Sequence, residues 1–223
     1  MILLSQLFTP ESETRAKELA DVREVNESSG LFERCIYVDG SQKRWTYGDF
    51  LLLAAETCSG KPVVVANTDI LFDSTIAVAG EMVGGKRVLA ITRWENATSP
   101  RMIGHSVHDR FFSGSQDVWV FVGGQVPRPE RVASIPLGVT GCENAFLGEM
   151  VTAGCGVLNP AIDVRTRHVH SEGSQQSPGS VPGLYAYPEL STLDGQGYVL
   201  THPWPPGSTG DEAQTEMFAT WQR

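Results

Sequence analysis

Val63-Val64-Val65-Ala66-Asn67-Thr68-Asp69-Ile70 decides how the rest of the chain is read. The unbroken β-branched run suits a parallel strand covered on both faces, and in open α/β sheets ligands bind beyond the carboxyl ends of such strands. Asn67 and Asp69 are thus delivered to the edge where a parallel sheet keeps its site. By itself the Asn-Thr-Asp tripeptide also reads as a turn in which both side chains bond their own backbone.

Working outward, strands and helices alternate, which predicts one α/β domain with one core, with or without a tail. Upstream, Ile2 to Phe8 reads as a strand. Thr9-Pro10 then supplies an N-cap and a first-turn proline for a helix to about Asn26, with Glu11 and Glu13 at its positive end and Ala16, Leu19, Ala20 and Val25 as its apolar stripe. Arg34 to Asp39 is a second strand ending in Asp39-Gly40-Ser41. Thr46 as N-cap, Asp49 three residues on and the Trp45/Phe50 pair predict a capping box with a hydrophobic staple, so Asp49 reads as structural.

Downstream, Asp73 caps a short helix through Ile76, Val78 and Met82 that stops at Gly84-Gly85. Gly80 to Lys86 spells GxxxxGK, but Arg87 replaces the Ser/Thr and the glycines close a helix instead of following a strand, so it is not a P-loop. Val88 to Thr92 is a strand leading to Arg93-Trp94-Glu95. Asn96 to Ser115 reads as a polar loop in which His105 and His108 are solvated. Ser115-Gln116-Asp117 precedes the strand from Val118, and the glycine-rich stretch from Pro136 opens into a helix from Glu143 to Ala153 that buries Phe146, Leu147, Met150 and Val151. After a short strand from Val157 to Pro160, the extended run Asp163 to His170 places His168 and His170 on one side, because a strand has a period of two.

Composition limits the function. The chain has 223 residues and a net charge of −9, with no Lys/Arg cluster to release counterions from phosphates, which argues against nucleic acid as a partner. Four dispersed cysteines, Cys35, Cys58, Cys142 and Cys155, form no CxxC pair and predict reduced thiols in a cytoplasmic setting. Met1 to Phe8 is too short and lacks the basic flank for a signal or a membrane span. From Ser171 to Gly183 the composition turns to Ser, Gln, Gly and Pro, so residues 171–223 are expected to be a flexible loop and an irregular tail, packed on the domain or mobile.

The ordered set Val65-Ala66-Asn67-Thr68-Asp69-Ile70, Ala90 to Glu95, Ser115 to Phe121, Gly141-Cys142-Glu143-Asn144 and His168-Val169-His170 resembles a family of small GT-A-fold glycosyltransferases. Those enzymes build surface polysaccharides, and some are virus-encoded. The resemblance covers residues 1–170 and implies a GT-A-like single domain, a Rossmann-like, mostly parallel mixed sheet flanked by helices. It implies transfer of a sugar from a nucleotide diphosphate sugar to a saccharide acceptor, with inversion and with Mn²⁺ or Mg²⁺ weakly held.

Carried over residue by residue, the family's Asp-x-Asp becomes Asn67-Thr68-Asp69 and lacks one carboxylate. The resemblance makes Asp69 a metal ligand beside the donor diphosphate and puts His168 or His170 at the place of a late ligand; the plain alternative for the histidines is a polar edge strand. Glu143 takes the place of the general base, with a helix-dipole partner as its alternative, while Asp117 contacts the acceptor or is the rival base. Asp39 and Gln6 lie where the donor base is read, and Arg93 approaches the pyrophosphate or forms a structural ion pair to Glu95 or Asp69. Two other classes stay open: a non-catalytic nucleotide-sugar or glycan-binding module, and nucleotidyl transfer, which the missing basic glycine-rich loop after the first strand disfavours.

Overall fold

A computed structural model of the chain describes residues 1–10, 12–95, 98–102, 104–107, 109–170 and 181–204, with nothing assigned to the side chains at 105, 107 and 202–204. In chain order the elements are β1 (Ile2–Leu7), α1 (Glu13–Ser28), β2 (Arg34–Asp39), α2 (Tyr47–Thr57), β3 (Pro62–Ala66), β4 (Ile70–Phe72), α3 (Ile76–Met82) and β5 (Arg87–Ile91). They continue with β6 (Gly104–Val107), β7 (Arg110–Ser113), β8 (Val118–Val122), α4 (Cys142–Thr152), β9 (Gly156–Leu158), β10 (Thr166–His168), β11 (Gly183–Pro188) and β12 (Val199–Trp204).

The main sheet has six strands in the order β2-β1-β3-β8-β5-β9. β8 runs antiparallel to both of its neighbours, and the other neighbouring pairs are parallel. The protein is therefore α/β, with a mixed, mostly parallel sheet flanked by helices. Alternation along each strand sends Ile2, Leu4, Val63, Val65, Trp119 and Phe121 to the face covered by α2 and α4, where Tyr47 stacks on Phe146 at 4.2 Å between ring centroids. Leu3, Val64, Val118 and Val120 face the other way, toward Ile70, Phe72, Ile76 and Ala79. The strand Val63 to Ala66 is buried on both faces as expected, but it is parallel only to β1 and antiparallel to β8.

α2 covers one face, whereas α1 is tied to β4 on the other: the Asn26 amide donates to the Ile70 carbonyl at 2.8 Å and Asn26 Oδ1 accepts from Phe72 N. Strand order reverses at β1, so the crevice between the carboxyl ends of β1 and β3 is the topological switch point, where ligands of such sheets bind. Thr68 Oγ1 bridges that crevice to the Gln6 carbonyl at 2.5 Å.

The start of α2 follows its sequence: Thr46 and Asp49 form the reciprocal capping box, and Trp45 lies 5.4 Å from Phe50. The first helix starts later than the sequence suggests. Ser12 accepts from Arg15 N and is the N-cap in place of Thr9. The buried stripe shifts accordingly to Leu19, Val22 and Asn26, and Val25 is 48% exposed. Thr75, held by Asp73 Oδ1, sits at the start of α3. Within the expected polar loop, β6 and β7 form an antiparallel hairpin; His108 and the His105 side chain lie outside the described residues. Ser171 to Ser180 lies outside them too, but the described part of the expected irregular tail is a regular antiparallel hairpin, β11 with β12. It lies on α4, where the Asn144 amide donates to the Ala186 carbonyl at 3.1 Å. All four cysteines are free.

Gly148 makes that contact possible. A Cβ there would lie 1.8 Å from the Leu184 carbonyl oxygen. In an open helix Gly→Ala gains about 1 kcal/mol, but here the added atom meets backbone that must shift. Gly148→Ala is expected to destabilise the protein by about 1–3 kcal/mol, the usual overpacking range, as a lower denaturation midpoint in urea.

Candidate functional site

The carboxyl ends of β2, β1, β3 and β5 lie along one edge of the sheet, and because β8 runs the other way, the residue preceding it lies at that edge too. Asn67 N donates to the Asp117 carbonyl at 3.3 Å, one step beyond the last ladder pair, Ala66 with Val118. Their side chains meet as well, with the Asn67 amide donating to Asp117 Oδ1 at 2.7 Å. Arg93, two residues past β5, donates through Nη1 to both Asp117 oxygens at 3.0 Å and through Nη2 to Glu95 at 3.4 Å.

Asp69 is the second node. Its Oδ2 accepts from His168 Nε2 at 3.0 Å and from Arg15 Nη2 of α1, and its backbone carbonyl accepts from Val169 N. The pairing of β10 with β4 produces this, since His168 lies opposite Ile70, immediately after Asp69. His170 follows two residues on, with its ring 5.4 Å from that of His168, although the strand covers only Thr166–His168 of the expected extended run from Asp163 to His170. Arg15 Nη1 also donates to Glu18 and to the Val169 carbonyl.

Charge couples the nodes. Burial would raise the Asp69 carboxyl, but the His168 hydrogen bond and the Arg15 guanidinium outweigh it and hold the group below the usual carboxylate range. Burial pushes Asp117 up, Arg93 opposes this, and the Asp69 charge adds to it. Glu143, in the first turn of α4 behind Gly141 at φ 76°, is pushed by burial up to about 7, and the nearby Asp117 charge contributes. Burial, with the Arg15 and His168 charges, lowers His170.

The structure thus brings Asn67, Asp69, Arg93, Asp117, Glu143, His168 and His170 into one neighbourhood. Asp117 does not present itself to a ligand: it is 3% exposed and both oxygens are engaged, so its geometry suits orienting Arg93 and Asn67. Gln6 and Asp39 lie one and two strands from β3. Gln6 Oε1 accepts from Trp45 N at 2.7 Å, and Asp39 is exposed, its Oδ1 accepting from Ser41 N, a bond that holds its carboxyl low. The residue that sequence reasoning missed is Arg15. Its signal was present, because Arg15, Leu19, Val22 and Asn26 lie four, three and four residues apart on one helix face.

A divalent cation fits these donors poorly. Asp69 Oδ2 is already shared by a guanidinium and an imidazole and the Asn67 amide is turned to Asp117, which leaves Asp69 Oδ1, buried without a partner, as the open oxygen of that carboxylate. A metal on the remaining oxygen would face the Arg15 charge across one carboxylate. Among the described residues no group of three or more His, Cys, Asp or Glu is placed to hold a metal. No helix among them is long and apolar enough to cross a membrane.

A scan against protein-family models and a search of curated proteins give no match for this chain. Function has to be read from the site itself.

The Glu143 environment gives a stability signature. In the unfolded chain a glutamate titrates near about 4.3, and in the folded protein Glu143 holds its proton up to about 7. The folded state binds this proton more tightly, so the associated stability is present below the unfolded value and is lost as pH rises through the folded one. A glutamine has no proton to lose. The melting temperature of Glu143→Gln is therefore expected to rise relative to the unmodified protein as pH goes from about 5 to about 8; a pH-independent difference would show that the carboxyl titrates normally.

Proposed function

We propose that this protein is a GT-A-like glycosyltransferase that moves a sugar from a nucleotide diphosphate sugar to a saccharide acceptor with inversion. The observation that carries the reading is the convergence, at the switch-point edge of a mixed and mostly parallel sheet, of Asp69, Arg93 and a Glu143 carboxyl shifted to about 7. A general base works best when its pKa lies near the working pH, and Glu143 meets that condition.

In the reaction, Glu143 takes the proton of the acceptor hydroxyl as that oxygen attacks the anomeric carbon. The bond from that carbon to the diphosphate oxygen breaks, and the nucleoside diphosphate leaves with the bonding pair. Arg93, held by Asp117, faces the negative charge that develops on the leaving group. Asp117 is a positioning residue in this scheme. Mn²⁺ or Mg²⁺, which the resemblance implies, has no step here because the surroundings of Asp69 fit it poorly. Polysaccharide synthesis is the setting the resemblance implies.

A non-catalytic nucleotide-sugar-binding module is the second reading, favoured by Asn67 at the place of the first carboxylate and by Asp69 being already paired. Release of nucleoside diphosphate from a panel of nucleotide sugars separates the two, since an enzyme hydrolyses its donor slowly without acceptor and a module does not. With the acceptor found, Glu143→Gln is expected to leave donor affinity nearly intact and to lower kcat by about 10²–10⁴-fold. In the unmodified enzyme kcat/KM should rise with pH through about 7 as Glu143 loses its proton. Turnover of Glu143→Gln within a few-fold of the original would remove the base from Glu143.

A further inference from the structure

We infer that the guanidinium groups of Arg15 and Arg93 take the place of a divalent cation in neutralising the donor diphosphate, so that donor binding is metal-independent. The inference rests on the reading of this edge as a nucleotide diphosphate sugar site and goes beyond it by naming the cation.

Arg15 is aimed by its helix. Leu19, Val22 and Asn26 on the same face of α1 are buried, and Asn26 is hydrogen-bonded to β4, so the helix cannot rotate Arg15 away from the switch-point edge. The side chain is 12% exposed, which leaves it a narrow approach from solvent. Of its five N–H groups, two on Nη1 reach Glu18 and the Val169 carbonyl and one on Nη2 reaches Asp69. These contacts leave the second Nη2 hydrogen and Nε–H unused.

Arg93 is built the same way on the neighbouring carboxylate. Its side chain is also 12% exposed, Asp117 and Glu95 hold Nη1 and Nη2, and Nε is buried without a partner. Asp69 lies two residues after Asn67, whose amide is bonded to Asp117, so the two guanidinium groups stand on adjacent anchors. Each aspartate fixes one planar fork and leaves donors over, and such forks match the oxygens of a phosphate. A divalent cation reaching Asp69 would compete with Arg15 and His168 at Oδ2, and at Oδ1 it would sit across one carboxylate from the Arg15 charge.

Calorimetric titration of the full chain with uridine, guanosine and thymidine diphosphates, in EDTA and in excess Mn²⁺, tests this. At least one nucleotide is expected to bind in EDTA, with Mn²⁺ changing its Kd by less than about twofold. Arg15→Gln and Arg93→Gln should each weaken that binding roughly tenfold or more, the loss of one charge-assisted hydrogen bond. Because Arg15→Gln leaves Asp69 buried without its cation, Arg15→Lys serves as the second variant; it keeps the charge for Asp69, loses the fork and should also bind more weakly. Binding that needs Mn²⁺ or is tightened tenfold or more by it, or variants that bind like the unmodified protein, would overturn the inference and leave the reading of the site standing. No binding under either condition would overturn both.

Discussion

The carboxylate of Asp69 is the junction on which the arrangement of the site depends. One oxygen joins α1 through Arg15 and β10 through His168, while the backbone carbonyl of the same residue accepts from Val169. Three pieces of chain far apart in sequence are thus fixed relative to one another at a single buried residue. Such an arrangement adds little net stability, since removing both charges from water offsets most of their attraction, yet loss of one partner costs about 3–5 kcal/mol. It selects one geometry at the edge of the sheet more than it strengthens the fold.

The reversed strand is the second constraint. Were β8 parallel, Asp117 would lie at the far end of the sheet from Asn67 and Arg93. Running antiparallel, it begins at the carboxyl edge of β3 and β5, and the Asn67 to Asp117 hydrogen bonds extend the ladder into the site. Arg93 lowers the Asp117 carboxyl without offsetting its burial, and the Asp117 charge raises Glu143. Glu143 inherits the result. Its proton affinity in the neutral range follows from burial first and from the unspent charge of Asp117 second.

Where structure is local, the sequence shows it. The capping box of α2 and the burial of β3 on both faces each depend on residues within a few positions, and both are found as read. The misreadings have two physical origins. Thr9-Pro10 and Ser12 are all competent helix starts, and Ala16, Ala20 and Val25 form an apolar stripe that is exposed, whereas Arg15 lies on the contact face with Leu19, Val22 and Asn26. The direction of β8, the closure of Asp117 by partners 50 and 24 residues away, and the pairing of β11 with β12 are set by tertiary contacts that no window contains. Proline and glycine around Gly183 and Pro188 mark turns, but they do not exclude a hairpin whose edges are short.

That hairpin also bears on the chemistry. α4 begins at Gly141 with φ 76°, and a Cβ there would lie 1.9 Å from the Tyr185 hydroxyl, so the ring of Tyr185 closes over the turn that aims Glu143. Tyr185 Oη donates to the Val181 carbonyl at 2.7 Å, and Val181 N donates to the Thr140 carbonyl at 3.3 Å, which ties the start of the hairpin to the start of the helix. Tyr47 and Cys142, hydrogen-bonded at 3.8 Å beneath the same turn, complete a buried floor. Tyr47 of α2 and Tyr185 of β11 both feel the Glu143 charge, so both elements stand near that carboxyl. Residues beyond the first 170 thus pack against the turn from which the helix carrying Glu143 starts, and they belong to the same folded unit as the site.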